Sequence, residues 1–231
     1  MKYFDAFAGY GGFSLGIQQA YEDLRRIQQD IPQRQTSQDT ADERGMLNSG
    51  KPTCIGYSEI DKYSIQTYEK NFGGHKNYGD ATKIKPEELP DFDLLCGGFP
   101  CQSFSVAGKR RGFEDTSGTM FFEIARILKV KRPKIILLEN VKGLLNHNKG
   151  KTFKVIIQTL DELGYNVEWM VLNSKFFGVP QNRERVFIIG SSRGERRPEI
   201  LPFRQTDNKS NVKVQKLVNE SQCNSIFSDK G

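Results

Sequence analysis

The chain is short of the residues that build metal centres and disulfide frameworks. Its 231 residues include four cysteines and two histidines. Cys54, Cys96, Cys101 and Cys223 form no CxxC pair, and His75 and His147 lie far apart in sequence. No metal site is expected from that spacing, and free thiols suit a reducing compartment. No apolar run approaches the ~18 residues of a membrane span. The opening MKYFDAFAGYGG has neither the apolar h-region nor the small-residue cleavage site of a signal peptide. The expectation is a cytoplasmic chain with no membrane partner. Hydrophobic residues make up 36% and charged residues 27%, a balance that supports a globular core. The net charge of +6 permits a nucleic-acid partner without requiring one.

What is present is an alternation. KYFDAFA (2–8) reads as a short buried strand running into Gly9-Tyr10-Gly11-Gly12. Phe13, Ile17, Ala20, Tyr21, Leu24 and Ile27 then recur at helical spacing. TCIGYS (53–58), FDLLCG (92–97), KIILLE (134–139), VEWMVL (167–172) and RVFIIG (185–190) read as further strands. Helical patterns stand at 61–72, from Met120 to Leu128, and from Phe153 to Leu163. Strands separated by amphipathic helices predict an α/β fold, a mostly parallel sheet with helices on both faces. Two stretches fall outside the pattern. Residues 28–52 are polar and punctuated by Pro and Gly, and read as an insertion after the first helix. Residues 204–231 are polar, with VKVQKLV the one candidate element. The expected organisation is a domain over 1–203 followed by a tail.

The glycine turn suggests a ligand. A dinucleotide fingerprint needs G-x-G-x-x-G, and Ser14 stands where the third glycine should fall. The turn therefore allows close approach but lacks the pyrophosphate grip, which argues against a nicotinamide-dependent oxidoreductase. Glu59 and Asp80 follow two later stretches. A carboxylate after the second strand of such a fold can hold ribose hydroxyls, and another can accept from an adenine amino group. Together they suggest an adenosine ligand without a pyrophosphate, with S-adenosylmethionine the candidate. Taken singly, each acid reads more readily as a solvated loop residue, and their order after successive strands is what favours the ligand.

GGFPCQSFSVAGKRRG (97–112) sets Cys101 behind Pro100, four residues past a strand, with Lys109, Arg110 and Arg111 downstream. Ligands of open α/β sheets bind beyond the carboxyl ends of strands, and the cations suit a phosphate backbone. A lone cysteine is otherwise a small hydrophobe, and a basic triplet a solvated face. Glu139 and Asn140 end the most apolar strand. Arg183 and Arg185 share one face of an extended segment and can point toward Glu139, or pair with Glu184.

These residues carry a resemblance. The chain resembles the DNA cytosine-5 methyltransferases of bacterial restriction–modification systems. The matching segments, in order, are DAFAGYGGFSLG (5–16), SEID (58–61), GDAT (79–82), GGFPCQSFSVAGKRRG, SGTMFFEIARI (117–127), ENVKG (139–143) and QNRERVFIIG (181–190). The resemblance implies a Rossmann-like methyltransferase fold dependent on S-adenosylmethionine, acting on duplex DNA. It implies Cys101 as nucleophile, Glu139 at the base, and Arg183 and Arg185 as supporting cations. It implies a cofactor pocket lined by Phe7, Gly9, Gly11, Gly12, Phe13, Glu59, Ile60, Asp80, Ala81, Pro100 and Met120. Gln102, Ser105, Lys109, Arg110 and Arg111 are the implied DNA contacts.

Family members continue past the arginine motif into a target-recognition region and two further motifs, which residues 204–231 do not contain. Residues 204–231 are thus a polar tail or the start of that region. A second subunit carrying the recognition part is one expectation, and a shortened chain or a gene remnant the others. The rival functions are a non-catalytic DNA- or partner-binding module of the same fold and an RNA cytosine methyltransferase.

Overall fold

The computed structural model describes residues 1–30, 50–100, 120–194 and 215–216. It divides into two compact units, Met1–Gly97 and Gly98–Gly231.

The first unit is built on β1 (Lys2–Ala6), which is buried from Tyr3 to Ala6. Burial on both faces explains why KYFDA does not alternate. β1 runs parallel to β2 (Thr53–Ser58) on one side and to β3 (Leu94–Gly98) on the other. Parallel neighbours need crossovers. α1 (Gly12–Asp30) lies in the first, and α2 (Lys62–Phe72) follows β2. Asp61 caps α2 by accepting from the Ser64 amide at 2.7 Å. Ser64, Tyr68 and Phe72 are its buried stripe, one residue per turn. Tyr68 stacks on Tyr57 of β2 with centroids 3.9 Å apart.

β1 is two residues shorter than KYFDAFA predicts. Phe7 takes a left-handed φ of 55°, which ends the strand. α1 is longer than expected and runs through Asp30, into the stretch read as an insertion. Gln28 and Gln29 suit a helix, and the first proline comes at 32. The remainder of that insertion, 31–49, lies outside the described residues.

The second unit contains α3 (Met120–Lys131), β4 (Ile135–Val141), α4 (Lys151–Glu162), β5 (Tyr165–Asn173) and β6 (Glu184–Ser192). β6 lies between β4 and β5 and is antiparallel to both, so β4 and β5 share a direction. The parallel arrangement expected from the alternation thus holds throughout β1–β3, while in the second unit β6 runs against both of its neighbours. Gly190 makes that neighbourhood possible. A Cβ there would lie 2.6 Å from Ile136 Cγ1. α4 buries Phe153, Ile156, Ile157 and Leu160, and Phe153 meets Trp169 of β5 edge-on at 5.2 Å. Each such side chain contributes about 1.5–3 kcal/mol by leaving water. Part of the VKVQKLV candidate forms β7 (Gln215–Lys216), paired with β5. Among the described residues no helix is long and apolar enough to cross a membrane, and no His/Cys/Asp/Glu group could hold a metal ion.

Candidate active site

In the first unit the glycine turn and two acids gather at the carboxyl ends of β1 and β2. Gly9 and Gly11 take positive φ, 54° and 88°. Gly11 is buried against α2, where a Cβ would sit 2.4 Å from the Phe72 ring. Gly9 and Gly12 are different, since a Cβ at either would meet nothing within 4 Å. Their bare backbone faces open space, as a cradle for a ligand must.

Glu59 closes that cradle. Its Oε2 accepts from the Gly9 amide at 2.9 Å, and its Oε1 accepts from the Ile60 and Asp61 amides, each at 2.8 Å. A carboxylate offers about four lone-pair sites, so acceptor capacity remains for a sugar hydroxyl. Asp80 lies further along. Its Oδ1 accepts from both the amide and the hydroxyl of Thr82. The hydrogen bonds from Thr82, helped by Lys83, hold its carboxyl below the usual range. An ionised Asp80 is a strong acceptor for an amino group. Ile60 is 73% exposed and available to a flat apolar ligand, whereas Ala81 is 4% exposed. Phe7 and Phe13 are half-buried. These features fit an adenosine ligand.

Beneath the turn is a buried polar chain. Ser14 Oγ donates to Asp5 Oδ2 at 2.9 Å and lies 2.9 Å from the Tyr68 hydroxyl, which lies 3.1 Å from His75 Nδ1. Asp5 is fully buried and its Oδ1 has no partner. Burial pushes its carboxyl up to about 7, against the hydrogen bond from Ser14.

In the second unit the chemistry gathers at one end of β4 and β6. Register pairs Glu139 with Phe187 and Val141 with Arg185. Glu139 and Arg185 are therefore diagonal neighbours, within reach of long side chains. Arg185 Nε meets Glu139 Oε1 at 2.7 Å. Gly98 leaves room for the carboxylate, since a Cβ there would lie 3.1 Å from Glu139 Oε2. Desolvation nevertheless raises the Glu139 carboxyl above its ordinary range, with the charges of Arg185 and Arg183 pulling it back. Glu184, the other acid within reach of the arginines, is taken by Lys142 at 3.0 and 2.9 Å. Arg185 Nη1 donates to the Glu184 carbonyl at 2.8 Å.

Asn140 points to the opposite face of β4 from Glu139. It is 2% exposed, and its Nδ2 donates to the Phe99 carbonyl at 2.8 Å. The chain is thereby tied down one residue before Pro100, which is exposed, and two before Cys101. Met120 is half-buried at the start of α3. Cys101, Gln102, Ser105, Lys109, Arg110 and Arg111 lie outside the described residues.

The sequence reading assigned no role to Asp5, Asn77, Lys142 or the side chain of Asn140. Asn140 stood in the quoted ENVKG, but nothing in a one-dimensional pattern reveals a bond to residue 99.

The fold defined here is that of the α/β methyltransferases. It matches the crystal structure of a Spodoptera frugiperda DNMT2 mutant with a TM-score of 0.57 at 19% identity, covering 89% of this chain and 53% of that one. The chain belongs to the C-5 cytosine-specific DNA methylase family, whose pattern it matches over residues 1–230. It is 47% identical over 192 residues to the Type II methyltransferase M1.ScrFI of Lactococcus lactis subsp. cremoris, covering 83% of this chain and 42% of that protein. It is 44% identical over 189 residues to the Type II methyltransferase M.NlaX of Neisseria lactamica, covering 82% and 51%. The chain thus spans about half the length of these relatives.

Proposed function

We propose that the protein methylates carbon 5 of cytosine in duplex DNA, using S-adenosylmethionine, as part of a restriction–modification system in the cytoplasm. The observation that carries this reading is Glu139 held against Arg185 at the end of β4, with Asn140 fastening the residue before Pro100-Cys101.

The residue types follow from the reaction. Carbon 5 of cytosine is too weak a nucleophile to take a methyl group unaided. The Cys101 thiolate adds to carbon 6, and a proton from Glu139 reaches N3, leaving an enamine that is nucleophilic at carbon 5. Burial raises the Glu139 carboxyl above its ordinary range, against the pull of Arg185 and Arg183, which favours the protonated form that N3 needs. Arg185 keeps the carboxyl aimed, and Arg183 adds positive charge beside it. After methylation the carbon-5 proton passes to solvent as the Cys101 thiolate is expelled, and N3 returns its proton to Glu139, which restores both the ring and the acid. Glu59, Asp80 and the Gly9–Gly12 backbone are the residues to hold S-adenosylmethionine. That cofactor supplies an electrophilic methyl group on a sulfonium. Phe7, Phe13 and Ile60 complete its lining in the first unit. The target base must leave the duplex stack, at a cost of a few kcal/mol. Gln102, Ser105, Lys109, Arg110 and Arg111 are the proposed DNA contacts. Target recognition is supplied by a second chain or a further segment, as the greater length of the relatives suggests.

The test is tritiated methyl transfer into duplex DNA and tRNA, with covalent trapping on 5-fluorocytosine DNA. Transfer to DNA and trapping, both abolished by Cys101→Ser, are expected. Trapping of the serine variant would remove the nucleophile. Incorporation confined to tRNA would move the substrate to RNA.

A further inference from the structure

Asn77 is assigned no role by its position in NYGDAT, yet its side-chain amide joins the two acid-bearing turns. Residues 76–79 lie alongside β2. The Tyr57 amide donates to the Lys76 carbonyl at 2.9 Å, the Tyr78 amide to the Tyr57 carbonyl at 2.7 Å, and Ser58 Oγ to the Gly79 carbonyl at 2.7 Å. There the strand-like backbone pairing stops. Asn77 continues it with its side chain. Oδ1 accepts from the Glu59 amide at 3.2 Å, and Nδ2 donates to the Glu59 carbonyl at 3.1 Å. The same Oδ1 accepts from the Gly79 amide at 2.8 Å, next to Asp80. Three of the four hydrogen bonds open to an asparagine side chain are thus made to backbone.

A local asparagine turn accounts for the bond to Gly79. It does not account for the two bonds to Glu59, eighteen residues away. Those two bonds engage both backbone groups of Glu59, as a neighbouring strand would. Glu59 and Asp80 leave the two ends of this brace, so the Asn77 amide, together with the Ser58–Gly79 bond, ties the turn that carries one acid to the turn that carries the other.

We propose that Asn77 is a positioning residue for ligand selection, holding Glu59 and Asp80 at the offset that makes the pair select adenosine. The proposal rests on reading Glu59 as the ribose acceptor and Asp80 as the acceptor for the adenine amino group. Its chemistry is particular to an amide. An aspartate at 77 would set an oxygen against the Glu59 carbonyl, and an alanine would remove all three bonds.

The experiment titrates the full chain, and its Asn77→Ala and Asn77→Asp variants, with S-adenosylhomocysteine and S-inosylhomocysteine. The inosyl ligand carries a carbonyl where adenine carries its amino group, so Asp80 rejects it. Wild type should prefer the adenosyl ligand. The variants should lose about tenfold in adenosyl affinity, the scale of one or two hydrogen bonds. Inosyl affinity should fall less, so that the preference shrinks. Thermal melting of each protein separates this from simple unfolding, and the near-isosteric Asn77→Asp carries the test if the alanine variant does not fold. Folded variants that keep the wild-type preference overturn the role of Asn77, whether or not both affinities drop together. A wild type that binds both ligands alike overturns the reading of Asp80 on which the proposal stands.

Discussion

Asn140 donates its side-chain amide to the carbonyl of Phe99, 41 residues earlier in the chain. Both residues are buried, and Phe99 packs on Phe121 of α3 with ring centroids 5.6 Å apart. The bond fixes the point where the chain enters the Pro100-Cys101 stretch. A buried carbonyl deprived of its donor costs about 1–3 kcal/mol. Asn140→Ala should therefore lower methyl transfer by roughly ten- to a hundredfold, on the same energy scale. S-adenosylhomocysteine affinity should stay near wild type. Equal loss of both would show a general structural effect.

The Glu139–Arg185 pair makes a prediction about pH. Glu139 must be protonated to serve N3, so the rate falls as pH rises through its pKa. The Arg185 charge favours the ionised carboxylate. Removing it in Arg185→Met raises the pKa further, and the alkaline limb of the pH–rate profile should move to higher pH even as the maximum falls. Glu139→Gln should slow the reaction by about 10²-fold or more and remove that limb. A limb unmoved in both variants would assign the titration to another group.

Asp5 gives the stability of the protein a pH dependence. Its carboxyl is pushed up from 3.8 to about 7 in the fold, so the native state binds a proton that the unfolded state releases. The resulting stabilisation is complete below the unfolded value near 3.8 and is lost as pH climbs through about 7. Urea unfolding at pH 5 and pH 8 should show the wild type losing its advantage over Asp5→Asn as pH rises, by at most about 1.4 kcal/mol per unit. A difference that does not change with pH would place the proton elsewhere.

Two neighbouring glycines should separate stability from ligand binding. Gly11→Ala combines a φ of 88° with a Cβ 2.4 Å from Phe72, and should destabilise by roughly 1–3 kcal/mol in thermal unfolding. Gly12→Ala starts α1 and its Cβ meets nothing. Stability should hold or improve slightly, while the added methyl group enters the cradle and weakens ligand binding. A destabilised Gly12→Ala would contradict that division.

Local pattern alone carried much of the fold. TCIGYS matches β2 residue for residue, because the strand is bounded by Pro52 and by the acids after Ser58. Spacing at i, i+3, i+4 marked α4, since four of its buried residues follow that period. The pairing of Arg185 with Glu139 was open to reading because i, i+2 spacing places both arginines on one side of an extended segment. The direction of β6 was not. Strand direction depends on which neighbours pair, and an apolar run looks the same forwards and backwards. The bonds of Asn77 and Asn140, and the chain from Asp5 to His75, were equally hidden, because they join residues that only folding brings together.

The reversed strand also constrains how this protein can change. Val186 and Ile188 are fully buried while Arg185 emerges on the other side of β6. Side chains alternate along a strand, so one extra residue between Arg185 and Val186 would turn the guanidinium away from Glu139 unless the buried pair were expelled into water instead. A codon gained at this point thus costs either the ion pair or the core, and point substitutions are left as the accessible route for its evolution.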